Sequence, residues 1–133
     1  MKKILVIDDD KDLSTTIKAI LEYNGYNVFL SHEPRQGIDT AKQQKPDLIL
    51  MDIMLPEMNG AEAVKILKSD ENLKNIPVIF LTALVSNEEK DLEPEKITVD
   101  GNYYQTLAKP FENKKLLEIV DSVFTPEIKG TNT

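Results

Sequence analysis

Ile4-Leu5-Val6-Ile7, Leu48-Ile49-Leu50-Met51 and Val78-Ile79-Phe80-Leu81 are unbroken apolar runs rich in branched side chains. None alternates with polar residues, so none suits a strand with one wet face. Such runs mark strands buried on both sides, in a parallel sheet covered by helices. Each closes on a polar residue: Asp8 and Asp9 after the first, Asp52 after the second, Thr82 after the third. Lys109 stands just before Pro110-Phe111. Strand ends in an open parallel sheet converge on one edge, where ligands bind. Acids and a base brought to that edge would form a metal and phosphate site, provided the fold assembles it.

The stretches between the runs read as helices. After a first strand over Lys3 to Ile7, the residues Leu13, Ile17, Ile20 and Leu21 recur on one face, and Gly25 is a natural stop. Asn27 to Ser31 reads as a second strand. Pro34 suits the first turn of a helix through Ile38 and Ala41 that ends before Pro46. Asp47 to Met51 is the third strand, followed by the loop Leu55 to Gly60 and a helix marked by Ala61, Ala63, Val64 and Leu67. Pro77 to Leu81 is the fourth strand. The last helix is expected from about Asn113 to Phe124, with Leu116, Leu117, Val120, Val123 and Phe124 inward. This alternation predicts an open, doubly wound α/β sheet.

Residues 84 to 109 break the rhythm. Ser86 to Glu89 make a capping box for a helix start, yet Pro94 interrupts within two turns. Lys96-Ile97-Thr98-Val99 then meets Asp100-Gly101 and Asn102-Tyr103-Tyr104, and an Asp-Gly pair between β-favouring runs signals a hairpin. One short helix and a β-hairpin near 96–104 are expected, with a shortened fourth-helix region. The competing reading is a Pro-kinked helix ending at Gly101; the β-branched residues favour the strand.

At 133 residues the chain fits one domain, expected over 1–124, with a disordered tail over 125–133. The composition, 41% hydrophobic and 29% charged, is that of a soluble globular protein. No apolar run approaches the roughly 20 residues that span a bilayer. The first run is too short for a secretory signal and meets Asp8-Asp9-Asp10 at once, so a cytoplasmic location is expected. The absence of cysteine excludes a disulfide framework, a thiolate nucleophile and a cysteine zinc site. A net charge of -7 with dispersed lysines argues against direct nucleic-acid binding, and no membrane partner is expected.

In a flavodoxin-like strand order of 2-1-3-4-5 the first and third strands are neighbours at the switch point. Asp8, Asp9 and Asp52 would then face one another, and carboxylates about 5 Å apart repel by several kcal/mol per pair at an effective dielectric near 20. A divalent cation relieves this. Oxygen-only ligands with room for water suit Mg²⁺, with Mn²⁺ or Ca²⁺ as substitutes. Asp10 and Asp12 are expected to serve the start of the first helix instead. A carboxylate at the position of Asp52 can attack a phosphoryl group and form an acyl phosphate. Lys109 would add a compact positive charge and Thr82 a hydroxyl donor, since phosphoryl transfer depends mostly on positioning and charge. His32 is read as a surface residue, not a phosphoryl carrier. Met51, Met54 and Met58 are read as packing and loop residues, and Tyr23 and Tyr26 as covering the end of the first helix.

Taken together, ILVIDDD, DLILMDIMLPEMNG, PVIFLTA and AKPF resemble response-regulator receiver domains in order, separation and flanking residues, over residues 2 to about 124. The resemblance implies that Asp52 is the phosphoacceptor. It implies that Asp9 binds Mg²⁺ directly, Asp8 does so through water, and Met54 lends its backbone carbonyl. Thr82 is implied as the switch hydroxyl and Lys109 as the phosphate-pairing lysine, with a cis Lys109-Pro110 bond.

The chain departs from that pattern in three places. Thr82 and Lys109 are 27 residues apart, several more than is usual for the family. Thr106 stands where many members carry a switch aromatic, with Tyr103 and Tyr104 close by. Met54 and Leu84 flank the phosphate in the family pattern, and apolar side chains there cannot orient an attacking water. A long-lived phosphoryl group is expected.

The reading is a stand-alone receiver domain in two-component or phosphorelay signalling. It would accept a phosphoryl group from a sensor histidine kinase or histidine phosphotransfer protein onto Asp52 with Mg²⁺. A two-state surface would then turn toward a downstream protein. Such a domain catalyses its own phosphorylation and dephosphorylation, with no separate substrate. The alternative is a protein-binding module of the same fold that works without phosphorylation. A flavin-binding flavodoxin would want a phosphate-cradling loop where this chain has three aspartates.

Overall fold

The unbroken apolar runs become the middle of one sheet. The computed structural model describes residues 1–83, 96–99 and 101–125. Strand β1 (Lys3–Ile7) leads to α1 (Lys11–Tyr23), β2 (Asn27–Ser31) to α2 (Pro34–Gln44), and β3 (Leu48–Asp52) to α3 (Gly60–Lys68). Next come β4 (Val78–Ala83), β5 (Lys96–Val99), β6 (Asn102–Lys109) and α4 (Asn113–Phe124). The sheet order is β2-β1-β3-β4-β6-β5. Its first five members are parallel, which is the expected 2-1-3-4-5 arrangement with β6 in fifth place.

The hairpin expected near 96–104 is present. β5 pairs antiparallel with β6 from Val99↔Asn102 to Lys96↔Gln105, and Gly101 takes the left-handed φ of 82° that the turn needs. The kinked-helix alternative is therefore excluded for 96–99. The second arm of the hairpin does not stop at Tyr104: it runs on through Lys109 as the fifth parallel strand. The sheet thus gains an antiparallel edge strand that the five-stranded expectation lacked. The helix expected from Ser86 and the tail beyond Thr125 lie outside the described residues.

Side chains alternate along the buried strands and split the core in two. Leu5, Ile7, Ile49, Met51, Val78 and Phe80 face α2 and α3. Ile4, Val6, Leu48, Leu50, Ile79 and Leu81 face α1 and α4, meeting Ile17, Leu21, Leu116 and Val120. Ile4 to Ile7 are wholly buried, each stabilising the fold by about 1.5–3 kcal/mol. No helix among the described residues is long and apolar enough to cross a membrane.

Side-chain caps mark the starts of α1 and α3. Asp10 caps α1 by accepting from Leu13 N at 3.0 Å, as expected of it. Asn59 and Glu62 form a capping box on α3, with bonds of 2.9 and 3.2 Å. Tyr26 tilts against Phe124 and its hydroxyl donates to Asp121, tying α4 to the start of β2. Burial, that bond and the Asp121 charge push the phenol up to about 12. Tyr23 does not share this role: it is 91% exposed, on the side of α1 away from Ile17 and Leu21.

Candidate functional site

The parallel register brings the singled-out residues to one edge. Strand β3 lies between β1 and β4, so Asp52 ends beside the close of β1 and opposite Leu81. Thr82, half-buried, follows Leu81 and pairs with Ala108, while Ala83 pairs with Lys109. Asp52 thus ends β3, as expected, and Thr82 lies one residue inside the end of β4.

Asp8 is wholly buried and Asp52 is 6% exposed, while Asp9 is exposed. One carboxylate oxygen from each lies within 4.8 Å of the others. Two buried charges this close repel by about 3 kcal/mol or more at an effective dielectric near 20. Lys109 offsets that repulsion. Its Nζ donates to Asp8 Oδ2 at 2.8 Å and to Asp52 Oδ2 at 3.2 Å. The other oxygens are held by backbone amides: Asp10 N donates to Asp8 Oδ1, and Met54 N to Asp52 Oδ1, both at 2.9 Å. The Lys109-Pro110 bond is cis, as the resemblance implied.

These surroundings act on the titrating groups. Burial raises the Asp52 carboxyl above its usual 3.8; the Met54 amide opposes, the Asp8 charge adds to the rise, and Lys109 opposes. Burial alone would lower the Lys109 ammonium, but the bond to Asp8 and the charges of both carboxylates carry it above its usual 10.5. Asp52 is thus a carboxylate under tension and Lys109 a cation held firmly charged.

A cluster built only of carboxylate oxygens, with one member open to solvent, fits a hard divalent cation such as Mg²⁺. The lysine is already committed to two of the three acids, so the third faces solvent without that counter-charge. Met54 is 74% exposed at the rim, and its amide contact with Asp52 is a local one, an aspartate accepting from the backbone two residues on.

Two more residues reach the site unannounced. His32 is half-buried, not a surface residue, and its Nδ1 lies 3.0 Å from the Asp8 carbonyl. Ser14, fully buried one turn into α1, donates from Oγ to Asp10 O at 2.9 Å and reaches Asp8 O at 3.3 Å. A hydroxyl four residues after Asp10 is within reach of that carbonyl by helix spacing alone, so its position was readable; that of His32 depended on the β1–β2 pairing. Thr106 is buried opposite Phe80, and Tyr104, on the same face of β6, meets the Phe80 ring edge-on at 5.6 Å.

Known proteins are similar to this chain. The response regulator receiver domain family matches residues 4–121. The chain is 34% identical over 127 residues to the probable transcriptional regulator ycf29 of Pyropia yezoensis, covering 95% of this chain but 54% of that protein. It is 32% identical over 121 residues to the polar-differentiation response regulator DivK of Brucella ovis, covering 91% and 94%. Among solved structures it is similar to the receiver domain of a Pseudomonas aeruginosa sensor histidine kinase, with a magnesium ion coordinated in the active-site cleft. That match has a TM-score of 0.76 at 30% identity and covers 93% of this chain and 98% of that one. With acids at the ends of β1 and β3, a lysine ending β6 and a family match over most of its length, this chain belongs to the response regulator receiver domains.

Proposed function

We propose that Asp52 is the phosphoacceptor of this receiver domain, taking its phosphoryl group from the phosphohistidine of a sensor kinase or phosphotransfer protein. An Asp52 oxygen attacks phosphorus, the phosphorus–nitrogen bond breaks, and the electron pair leaves with the imidazole, which takes up a proton. The observation that carries this reading is the position of Lys109 between Asp8 and Asp52. An ammonium already at the attacking carboxylate is placed to pair with a phosphoryl oxygen arriving there. Thr82, on the neighbouring strand, supplies a hydroxyl to another oxygen. Asp8, Asp9, Asp52 and the Met54 carbonyl would hold Mg²⁺, which supplies positive charge toward the transferring group. The magnesium in the similar Pseudomonas receiver supports that choice of ion.

The phosphorylated domain then biases a surface toward a downstream protein in the cytoplasm, with residues 1–124 as the working unit. Asp9→Ala tests the metal assignment. It is expected to remove the Mg²⁺ dependence of phosphorylation by a small phosphodonor while leaving the circular dichroism spectrum unchanged. An unaltered Mg²⁺ dependence would take Asp9 out of the site.

A further inference from the structure

The carbonyl of Asp8 is held from outside its own strand. Asp8 N donates to Ser31 O at 3.0 Å, the last rung between β1 and β2. The chain then turns into α2 at Glu33, and beyond that rung the His32 ring meets Asp8 O at 3.0 Å. A carbonyl only accepts, so this bond requires the proton on Nδ1 of His32. Ser14 is the weaker hold, because its one hydroxyl proton has a shorter bond to Asp10 O, 2.9 Å against 3.3 Å.

The oxygen of Asp8 and the amide nitrogen of Asp9 share one rigid peptide plane. Fixing that oxygen fixes the direction in which Asp9 leaves the strand. Asp9 is exposed, so packing does little to aim it. Its carboxylate nevertheless lies within 4.8 Å of those of Asp8 and Asp52. We propose that His32 is a positioning residue for the divalent-cation site, acting through the Asp8 carbonyl to hold the Asp9 carboxylate against the other two. This rests on the reading of those three acids as the Mg²⁺ ligands.

Calorimetric titration of the full chain with Mg²⁺ tests it, beside thermal unfolding of each variant in chelator. His32→Leu is expected to weaken Mg²⁺ binding about tenfold, the low end for lost support behind a metal ligand. His32→Asn, whose amide N–H sits as many bonds from the backbone as Nδ1, is expected to restore affinity to within a few-fold. His32→Gln, with its amide one bond farther out, is expected to fall with Leu and serves if the Leu variant does not fold. Equal affinity in wild type, Asn and the Leu or Gln variant would overturn the role of His32 and leave the metal site standing. Equal weakening in the Asn variant would also overturn it, by showing a structural effect without the donor. A wild type that takes up no Mg²⁺ would overturn the site reading itself, and the role of His32 with it.

Discussion

Lys109 and Asp8 are joined by a 2.8 Å ion pair across a sequence separation of 101 residues. Asp8 is wholly buried, and the lysine side chain is only 18% exposed. The same ammonium reaches Asp52, so it holds two strand ends together before any ligand arrives.

Lys109→Ala is therefore expected to destabilise the metal-free protein. Removing one partner of a fully buried pair costs about 3–5 kcal/mol, and the partial exposure here lowers that to about 2 kcal/mol. The two carboxylates left facing each other remain able to bind Mg²⁺, so the cation should stabilise this variant more than the wild type. Urea unfolding with and without Mg²⁺ measures both effects. Equal stability of the two proteins in chelator would show that Lys109 is not the counter-charge.

Asp52→Asn is expected to be more stable than the wild type near neutral pH when metal is withheld. The fold raises the Asp52 carboxyl above 3.8, so the native state binds that proton more tightly than the unfolded chain. The wild type thus loses stability as pH rises through the raised value, and asparagine has no proton to lose. The advantage of the variant should shrink as pH falls toward 3.8. An advantage that does not change with pH would contradict the buried-charge account.

Gly60 opens α3 where the chain leaves the site. A Cβ there would lie 2.9 Å from Ile53 Cα and from Phe80 Cε1, and 3.0 Å from the Asp52 carbonyl oxygen. Two of these are backbone atoms that cannot swing aside. Gly60→Ala is expected to cost about 1–3 kcal/mol and to slow phosphorylation by shifting the Asp52–Ile53 backbone. An unchanged unfolding midpoint would show that the loop has slack.

The phosphoryl group is expected to be long-lived. Met54 stands 74% exposed beside Asp52, and its side chain offers no group to orient water. A Met54→Asn variant should lose the label several-fold faster. Loss from the isolated wild type within seconds would contradict this account.

Much of this was legible because the strands are buried on both faces. Uninterrupted runs such as Ile4 to Ile7 fixed the strands, and the polar residues closing them fixed the site edge. Asp10 was readable as a cap because the reach of a carboxylate to the amide three residues on is local. The hairpin was readable from Asp100-Gly101 and the β-branched residues before it. What no local pattern could show is where β6 goes next: its eight residues serve both as a hairpin arm and as the fifth strand. His32 was misjudged for the same reason, since its partner is the carbonyl of a residue 24 positions away that only strand pairing brings near. Tyr23 and Tyr26 lie three apart around the end of α1, and only contact with Phe124 and Asp121 separates the half-buried one from the exposed one.

The most direct test of Asp52 as the phosphoacceptor is mass spectrometry of the protein incubated with Mg²⁺ and a small phosphodonor. The wild type is expected to gain one phosphoryl group, stable in acid and labile in alkali, and Asp52→Asn to gain none. No gain in the wild type with any donor, or an equal gain in the variant, would contradict it.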